Sequence, residues 1–257
     1  MKILVTGSNG FIGQNMVNAL KKKHKVSTYE WGQQYPLLDE LDWVVHLGAI
    51  SSTTEKDVRL IVRQNLESSI YLYEDCIEKG VNFQFASSAS VYGIDPTSFK
   101  EDADLNPQTH YARSKALFEH YIKIRQAPIV TQVFRYFNVH GPNEDHKGDQ
   151  ASPHTKFLKQ AKETGKVKLF KNSEYFYRDF IHVDKITEYH QRFFSIQKSG
   201  VWNVGTGFEK SFYEVALSIC KETGASIEWV DMPEKLKKGY QNFTRADTTK
   251  LWRTLNL

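Results

Sequence analysis

Apolar runs and amphipathic stretches alternate along the first 140 residues of the chain. It begins with KILVTG, an apolar run that stops at a glycine, and continues with NGFIGQNMVNALKKK, whose apolar positions follow helical spacing. Further strands are predicted at VSTYE, DWVVHLGA, VNFQFASSASVY and APIVTQVFRYFNV, and further helices at LIVRQNLESSIYLYEDCIEKG and HYARSKALFEHYIKIRQ. This alternation predicts an α/β fold with a doubly wound parallel sheet.

The pattern changes after Gly141 and Pro142. A polar, turn-rich stretch, GPNEDHKGDQAS, is followed by shorter and more mixed elements. We therefore expect a first domain at residues 1–141 and a smaller lobe at residues 142–257. Roughly residues 179–206 of that lobe are expected to pack back on the first domain.

The connection between the second and third predicted strands is short. Only eleven residues, WGQQYPLLDEL, separate Glu30 from Asp42. At roughly 3.3 Å per residue they can cross a neighbouring strand, but they cannot also form a helix and a strand. Since a doubly wound sheet normally has both at this point, we expect one edge strand to be missing.

Composition excludes several classes of protein. The net charge of +4 is mild, and the one tight basic cluster, at residues 21–25, is expected at the exposed end of the first helix, which gives nucleic-acid binding little support. Cys76 and Cys220 lie far apart, without the spacing of a zinc site, so no metal is predicted. The sequence has neither a signal peptide nor an apolar stretch of roughly 18 residues, so we expect a cytoplasmic protein without membrane contact.

Glycines at positions 7, 10 and 13 lie in TGSNGFIG, between the first predicted strand and helix. Such glycines let the backbone approach a pyrophosphate, whose charge the helix N-terminus holds. Residues 1–141 are therefore predicted to bind a dinucleotide. Glu30 ends the second strand, where an acid accepts hydrogen bonds from ribose hydroxyls and repels a 2′-phosphate. No basic residue follows between Trp31 and Leu41, so NAD is favoured over NADP, although both stay open.

Tyr111 and Lys115 are the candidate catalytic pair. They are four residues apart in a predicted helix, which puts both side chains on one face. An ammonium group close to a phenol favours its ionised form, so Tyr111 is a candidate general base for an alcohol. Such pairs also occur by accident on solvated helix faces, and the pair gains weight from the glycine motif.

The glycine motif, the Tyr-x-x-x-Lys pair and the serine in ASSASVYG together resemble the extended short-chain dehydrogenase/reductase superfamily. In that superfamily the tyrosine is the acid/base, the lysine lowers its pKa and binds the nicotinamide ribose, and a hydroxyl residue orients the substrate alcohol. The resemblance assigns these roles to Tyr111, Lys115 and Ser88. It also implies a Rossmann-like fold and hydride transfer to a nicotinamide.

A narrower resemblance covers nearly the whole chain. The segments HLGAISSTTEKD, FRYFNVHGPNEDHKGDQAS, KLFKNSEYFYRDF, WNVGTG and KGYQNFTRAD are similar to those of the ADP-L-glycero-D-manno-heptose 6-epimerases, enzymes of lipopolysaccharide heptose metabolism. In that family the lysine of HKG is a second acid/base opposite the tyrosine, and the matching residue is Lys147. The resemblance implies oxidation of a carbinol to a transient ketone and return of the hydride to the opposite face.

The resemblance also implies two sets of contacts. The cofactor contacts are Gly7, Asn9, Gly10, Phe11, Ile12, Gly13, Glu30, Leu47, Gly48, Ala49, Asn65, Tyr111, Lys115 and Val139. The contacts to a nucleotide-diphosphate sugar are Ser52, Ser88, Asn138, His146, Lys147, Ser152, Arg178 and Tyr240.

Alternatives stay open at this point. A UDP-hexose 4-epimerase shares Tyr111, Lys115 and Ser88, and a net reductase differs only in exchanging its cofactor. A non-catalytic protein that binds a dinucleotide or a nucleotide sugar is a third possibility, because the cofactor side is shortened. The helices at residues 65–76 and 111–124 are the expected contact in a homo-oligomer.

Overall fold

The computed structural model describes residues 1–52, 55–94, 96, 98–234 and 241–257. The helices are α1 (Phe11–Leu20), α2 (Val58–Ile61), α3 (Ser68–Lys79), α4 (His110–Arg125), α5 (Pro153–Thr164), α6 (Val183–Phe193), α7 (Phe212–Thr223) and α8 (Thr249–Leu255). A π-helical segment, Val62–Glu67, joins α2 to α3, and short 3₁₀ turns lie at Ala89–Tyr92, Asp145–Gln150 and Ser173–Tyr175.

The strands are β1 (Lys2–Thr6), β2 (Lys25–Tyr29), β3 (Trp43–His46), β4 (Asn82–Ser88), β5 (Thr131–Tyr136), β6 (Asn138–His140), β7 (Lys166–Phe170), β8 (Tyr177–His182), β9 (Gly200–Val204), β10 (Glu209–Ser211) and β11 (Ser226–Val230). Six of them form one parallel sheet in the order β2-β1-β3-β4-β5-β9. The α/β fold with a parallel sheet, predicted from the alternating pattern, is confirmed.

The edge of this sheet is β2, because residues 31–41 form neither a helix nor a strand. The expectation of a missing edge strand therefore agrees with the structure. Leu38 is buried beneath the sheet in the cluster that contains Leu4, Val44 and Leu72, so the short connection crosses β1 with an apolar anchor.

Smaller sheets build the other side of the molecule. The strands β10, β8 and β6 form a three-stranded sheet, in which β6 is parallel and β10 antiparallel to β8. The strands β7 and β11 pair in parallel, and α5 and α7 pack on one another beside them. This part of the chain carries its own apolar cluster, which includes Phe157, Val167 and Ile219.

Later elements of the chain return to the first core. Strand β9 pairs with β5, helix α6 packs against α1, and Leu251 and Leu255 of α8 are buried in the same cluster as Ile3 and Val5. The exact division of the chain into domains stays a prediction. Within the described residues, no helix has the length and apolarity needed to cross a membrane.

Candidate active site

A cavity of about 790 Å³ runs along the carboxyl ends of β1, β3, β4 and β5. Its lining includes predicted cofactor contacts and predicted substrate contacts. These are Gly7, Gly10, Phe11, Ile12, Gly13, Glu30, Leu47, Gly48, Ala49, Ser52, Tyr111, Lys115, His146 and Lys147.

In the glycine turn after β1, the main chain at Gly7 packs closely against the main chain at Gly48 and Gly13. Gly7 has a φ of +67°, and a Cβ there would lie 2.6 Å from the Cα of Gly48. A Cβ on Gly13 would lie 1.9 Å from the carbonyl oxygen of Gly7, so α1 can start this close to the turn only with glycine. Among the described residues, no side chain caps the first turn of α1 at Gly10. The helix N-terminus can therefore serve an anion in the cavity.

Glu30 closes the turn from the end of β2. Its Oε1 accepts hydrogen bonds from the Ser8 hydroxyl, at 2.8 Å, and from the backbone N–H of Asn9, at 2.7 Å. The carboxylate thus supports the glycine turn as well as lining the cavity. The side chain of Asn9 is exposed, and Asn9 is not part of the lining.

Lys115 is held deep in the site. Its Nζ donates to the carbonyl oxygen of Ala86 at 2.8 Å and lies 4.5 Å from the centre of the Phe85 ring. Burial lowers the pKa of this ammonium group to about 7, against the opposing charge of Glu119. The same Nζ lies 5.9 Å from the centre of the Tyr111 ring.

Tyr111 hydrogen-bonds the side chain of Ser88, and burial raises the pKa of its phenol above the ordinary value of 10.0. The hydrogen bond from Ser88 acts in the opposite direction and favours the phenolate. Sequence reasoning expected Lys115 to dominate by lowering this pKa. In the structure desolvation is the larger effect on both groups, because Lys115 is buried and Tyr111 is half-buried beside it.

Lys147 reaches the cavity from a tightly anchored loop. Its Nζ lies 5.3 Å from the centre of the Phe11 ring, and burial lowers its pKa. Glu144 holds the loop: its carboxylate is almost fully buried and accepts from the N–H of Gly141 at 3.0 Å, the N–H of Ser152 at 2.6 Å and the hydroxyl of Ser152 at 2.8 Å. Sequence reasoning missed Glu144, because one acid in a polar loop gives no periodic signal.

Ser152 and Asn65 were predicted as ligand contacts and lie outside the cavity lining. Ser152 is the N-cap of α5 as well as a partner of Glu144. Asn65 is almost fully buried and bonds both the N–H and the carbonyl of Ile50, at 2.8 and 3.0 Å. In the structure both residues therefore fix loops that line the site.

The remaining predicted contacts lie towards the smaller sheets. Asn138 and Val139 are in β6, and Asn138 donates to the backbone carbonyl of Asp179 at 3.2 Å. Arg178 in β8 donates to the carbonyls of Tyr177 and Gln241. These residues and Ser88 are not part of the cavity lining, and Tyr240 lies outside the described residues.

His46 is buried beneath the cavity between Thr6 and Ser69, with hydrogen bonds of 2.7 and 2.8 Å. Burial lowers its pKa to about 3, so the ring is neutral at neutral pH. In the described portion of the chain, no group of three or more His, Cys, Asp or Glu side chains is arranged to hold a metal ion.

The outer end of the cavity is aromatic, which the sequence patterns did not reveal. Its lining there includes Trp31, Tyr35, Tyr71 and Asp75. Two of these side chains belong to the short connection after β2, where the pattern indicated only a chain crossing. The sole available signal was the presence of aromatic residues in a segment with no predicted helix or strand.

Comparison with known sequences gives one family and a similar relative. Residues 30–205 match the NAD dependent epimerase/dehydratase family. The chain is 35% identical to an ADP-L-glycero-D-manno-heptose-6-epimerase of Brachyspira hyodysenteriae, over 97% of this chain and 90% of that protein.

Solved structures show the same fold. An ADP-L-glycero-D-manno-heptose-6-epimerase of Helicobacter pylori superposes with a TM-score of 0.87 at 26% identity, covering 99% of this chain and 90% of the other. A UDP-glucose 4-epimerase of Thermus thermophilus in complex with NAD gives a TM-score of 0.83 at 26% identity, covering 98% and 92% of the two chains.

Proposed function

We propose, from the premise that the chain belongs to the NAD dependent epimerase/dehydratase family, that it inverts a carbinol centre of a nucleotide-activated sugar. The proposed substrate is an ADP-glycero-manno-heptose and the proposed centre is C6. The observation that carries this proposal is the placement of Tyr111, Lys115 and Lys147 around one cavity. The choice of sugar rests on the similarity to the Brachyspira protein over nearly the whole chain.

The cavity fits a dinucleotide. Gly7 and Gly13 let the turn pack against main-chain atoms that any Cβ would meet, and this close packing sets the uncapped N-terminus of α1 at the cavity, where it can hold a pyrophosphate. NAD or NADP would supply a hydride acceptor that later returns the hydride to the sugar. We assign NAD as the preferred form, because the Glu30 carboxylate would repel a 2′-phosphate. The glycine turn and Glu30 hold the adenosine half, and Lys115 is assigned to the nicotinamide ribose.

Tyr111 takes the hydroxyl proton of the sugar at its Oη during oxidation. The hydrogen bond from Ser88 stabilises the phenolate, and Ser88 is assigned to orient the sugar hydroxyl. Lys115, with a pKa of about 7, carries a charge in part of the molecules at neutral pH. That charge favours the ionised form of Tyr111 across the 5.9 Å between the ammonium nitrogen and the ring centre.

Lys147 is the proposed second acid/base. Inversion requires the transient ketone to turn in the site, so the proton for the second half-reaction must come from another side. The lowered pKa of Lys147 brings its Nζ closer to the range in which an amine exchanges protons near neutral pH. The four hydrogen bonds that Glu144 accepts keep the loop, and with it this amine, in place.

The remaining assignments concern the substrate and the assembly. Ser52, His146, Asn138, Ser152, Arg178 and Tyr240 are retained as proposed substrate contacts. A homo-oligomer is proposed through α3 and α4, and the exposed apolar side chains of Leu117 and Ile124 in α4 support this choice. The cytoplasm is the proposed compartment, because Cys76 and Cys220 are unpaired.

Incubation of the purified protein with ADP-D-glycero-D-manno-heptose, with NAD or NADP supplied, tests the proposal by NMR of the sugar. We expect inversion at C6, faster with NAD.

Lys147→Met is expected to lower kcat about 10²-fold, the ordinary size of one acid/base contribution. The matched control is Lys162→Met, an exposed lysine of α5.

Conversion of UDP-glucose without conversion of the heptose would instead assign the chain as a 4-epimerase, the alternative that the Thermus structure represents. Binding of NAD without conversion of either sugar would leave a non-catalytic protein. Full activity of Lys147→Met on the heptose would contradict the second acid/base.

A further inference from the structure

The short connection after β2 is fastened to α3 at several points. The hydroxyl of Tyr35 donates to Oδ2 of Asp75 at 2.6 Å, and the carboxylate of Asp39 pairs with Lys79 at 3.2 Å. Between these contacts, Leu38 is buried in the cluster below the sheet. Residues 31–41 therefore form a strap with a defined course along α3.

This strap places aromatic rings at the outer end of the cavity. Trp31 and Tyr35 of the strap are 47% and 44% exposed, and Tyr71 of α3 is 72% exposed. All three line the cavity. Large aromatic side chains grouped this way on a surface mark a binding site more often than isolated ones do.

Three contacts order Trp31 and Tyr35 before any ligand arrives. The guanidinium carbon of Arg63 lies 5.7 Å from the centre of the Trp31 ring, within the range of a cation–π contact. Tyr35 packs edge-on against Tyr29, with 5.9 Å between ring centres, while Asp75 holds its hydroxyl. The two strap rings are therefore pre-organised rather than independently moving side chains.

We propose that Trp31, Tyr35 and Tyr71 form the site for the adenine base of the dinucleotide, in place of the helix and strand that the chain lacks. The inference rests on the dinucleotide-binding part of the proposed function. A flat purine stacks on aromatic rings whatever its hydrogen-bonding edge. Glu30, at the end of β2 just before Trp31, lies between these rings and the glycine turn along the chain, as the ribose does between the base and the pyrophosphate.

Calorimetric titration of the full chain with AMP and with nicotinamide mononucleotide tests this site without any turnover. We expect Trp31→Ala to raise the Kd for AMP about tenfold or more, Tyr71→Ala to raise it by a similar factor, and neither to change the Kd for nicotinamide mononucleotide. AMP should also quench the fluorescence of Trp31 in the wild type.

Trp229→Ala is the matched control, because Trp229 is 44% exposed and stacks on Tyr213 away from the cavity. Its Kd for AMP should equal that of the wild type. Circular dichroism of each variant separates loss of the base site from loss of the fold, and Trp31→Phe, which keeps a ring, should recover most of the affinity.

An unchanged Kd for AMP in both Trp31→Ala and Tyr71→Ala would overturn the inference, as would ribose 5-phosphate binding as tightly as AMP. The outcome is separable from the proposed function. If the protein epimerises the sugar but the ring substitutions leave the Kd for AMP unchanged, only the proposed base site is wrong. If AMP binding depends on the rings but no sugar is converted, only the proposed epimerase activity is wrong.

Discussion

Replacement of Tyr111 by phenylalanine is expected to lower the kcat of epimerisation about 10³-fold, within the range of a general acid/base contribution. The change removes the only oxygen assigned to take the sugar proton, while the ring stays in place over the position of Lys115. The lost hydrogen bond to Ser88 should cost only about 1 kcal/mol in the free energy of unfolding. Single-turnover kinetics, with the enzyme in excess over the substrate, measures the effect on the chemical step directly.

The control for this variant is Tyr213→Phe, in α7, whose ring stacks on Trp229. Its kcat should match that of the wild type. The Kd for NAD should change little in Tyr111→Phe, because the glycine turn and Glu30 are untouched. A fall in kcat of less than tenfold would remove Tyr111 from the role of acid/base.

Replacement of Glu119 by alanine is expected to lower the free energy of unfolding by about 3–5 kcal/mol, the cost of breaking a buried ion pair. Glu119 pairs with Arg135 at 2.6 Å, both side chains being 5% exposed, and it also accepts from the hydroxyl of Ser87. Among the described residues, the variant leaves the buried guanidinium with the hydroxyl of Tyr92 and the carbonyl of Glu101 as its hydrogen-bond acceptors. Urea unfolding followed by circular dichroism measures the loss.

A second Arg–Glu pair in the same fold provides the control. Glu74 and Arg125 are 2.8 Å apart, but their side chains are 35% and 39% exposed. Glu74→Ala should therefore cost no more than about 1 kcal/mol. Equal losses in the two variants would contradict the assignment of the buried pair as a main stabilising contact beneath the site.

The main sheet could be predicted because its signals are local. Buried parallel strands give short apolar runs, and Gly80 ends α3 in the left-handed conformation that glycine adopts readily. Even the missing edge strand follows from counting, since eleven residues are too few for a helix and a strand. The three-stranded sheet of β6, β8 and β10 gave no such signal, because β6 and β10 are only three residues long and such short strands have no measurable period.

The residues of the site also differ in whether a local sequence signal marks them. The glycine turn, Tyr111 and Lys115 lie in short motifs with fixed spacing, and the structure brings them to one cavity. Short motifs could not reveal the roles of Glu119 and Glu144. Those roles depend on partners, such as Arg135 and Ser152, that only the folded chain brings close to the two acids. The direction of the pKa shift of Tyr111 could not be predicted for a related reason: how much of a helix face is buried is a tertiary property.

The measurement that most directly tests the central claim follows a label at the inverted carbon. ADP-D-glycero-D-manno-heptose carrying deuterium at C6 is incubated with the enzyme in ordinary water, and the product is examined by NMR and mass spectrometry. Transfer of a hydride to a bound dinucleotide and back predicts that the inverted sugar keeps its deuterium at C6. Loss of the deuterium to solvent during inversion would contradict the account, because that result requires removal of the carbon-bound hydrogen as a proton.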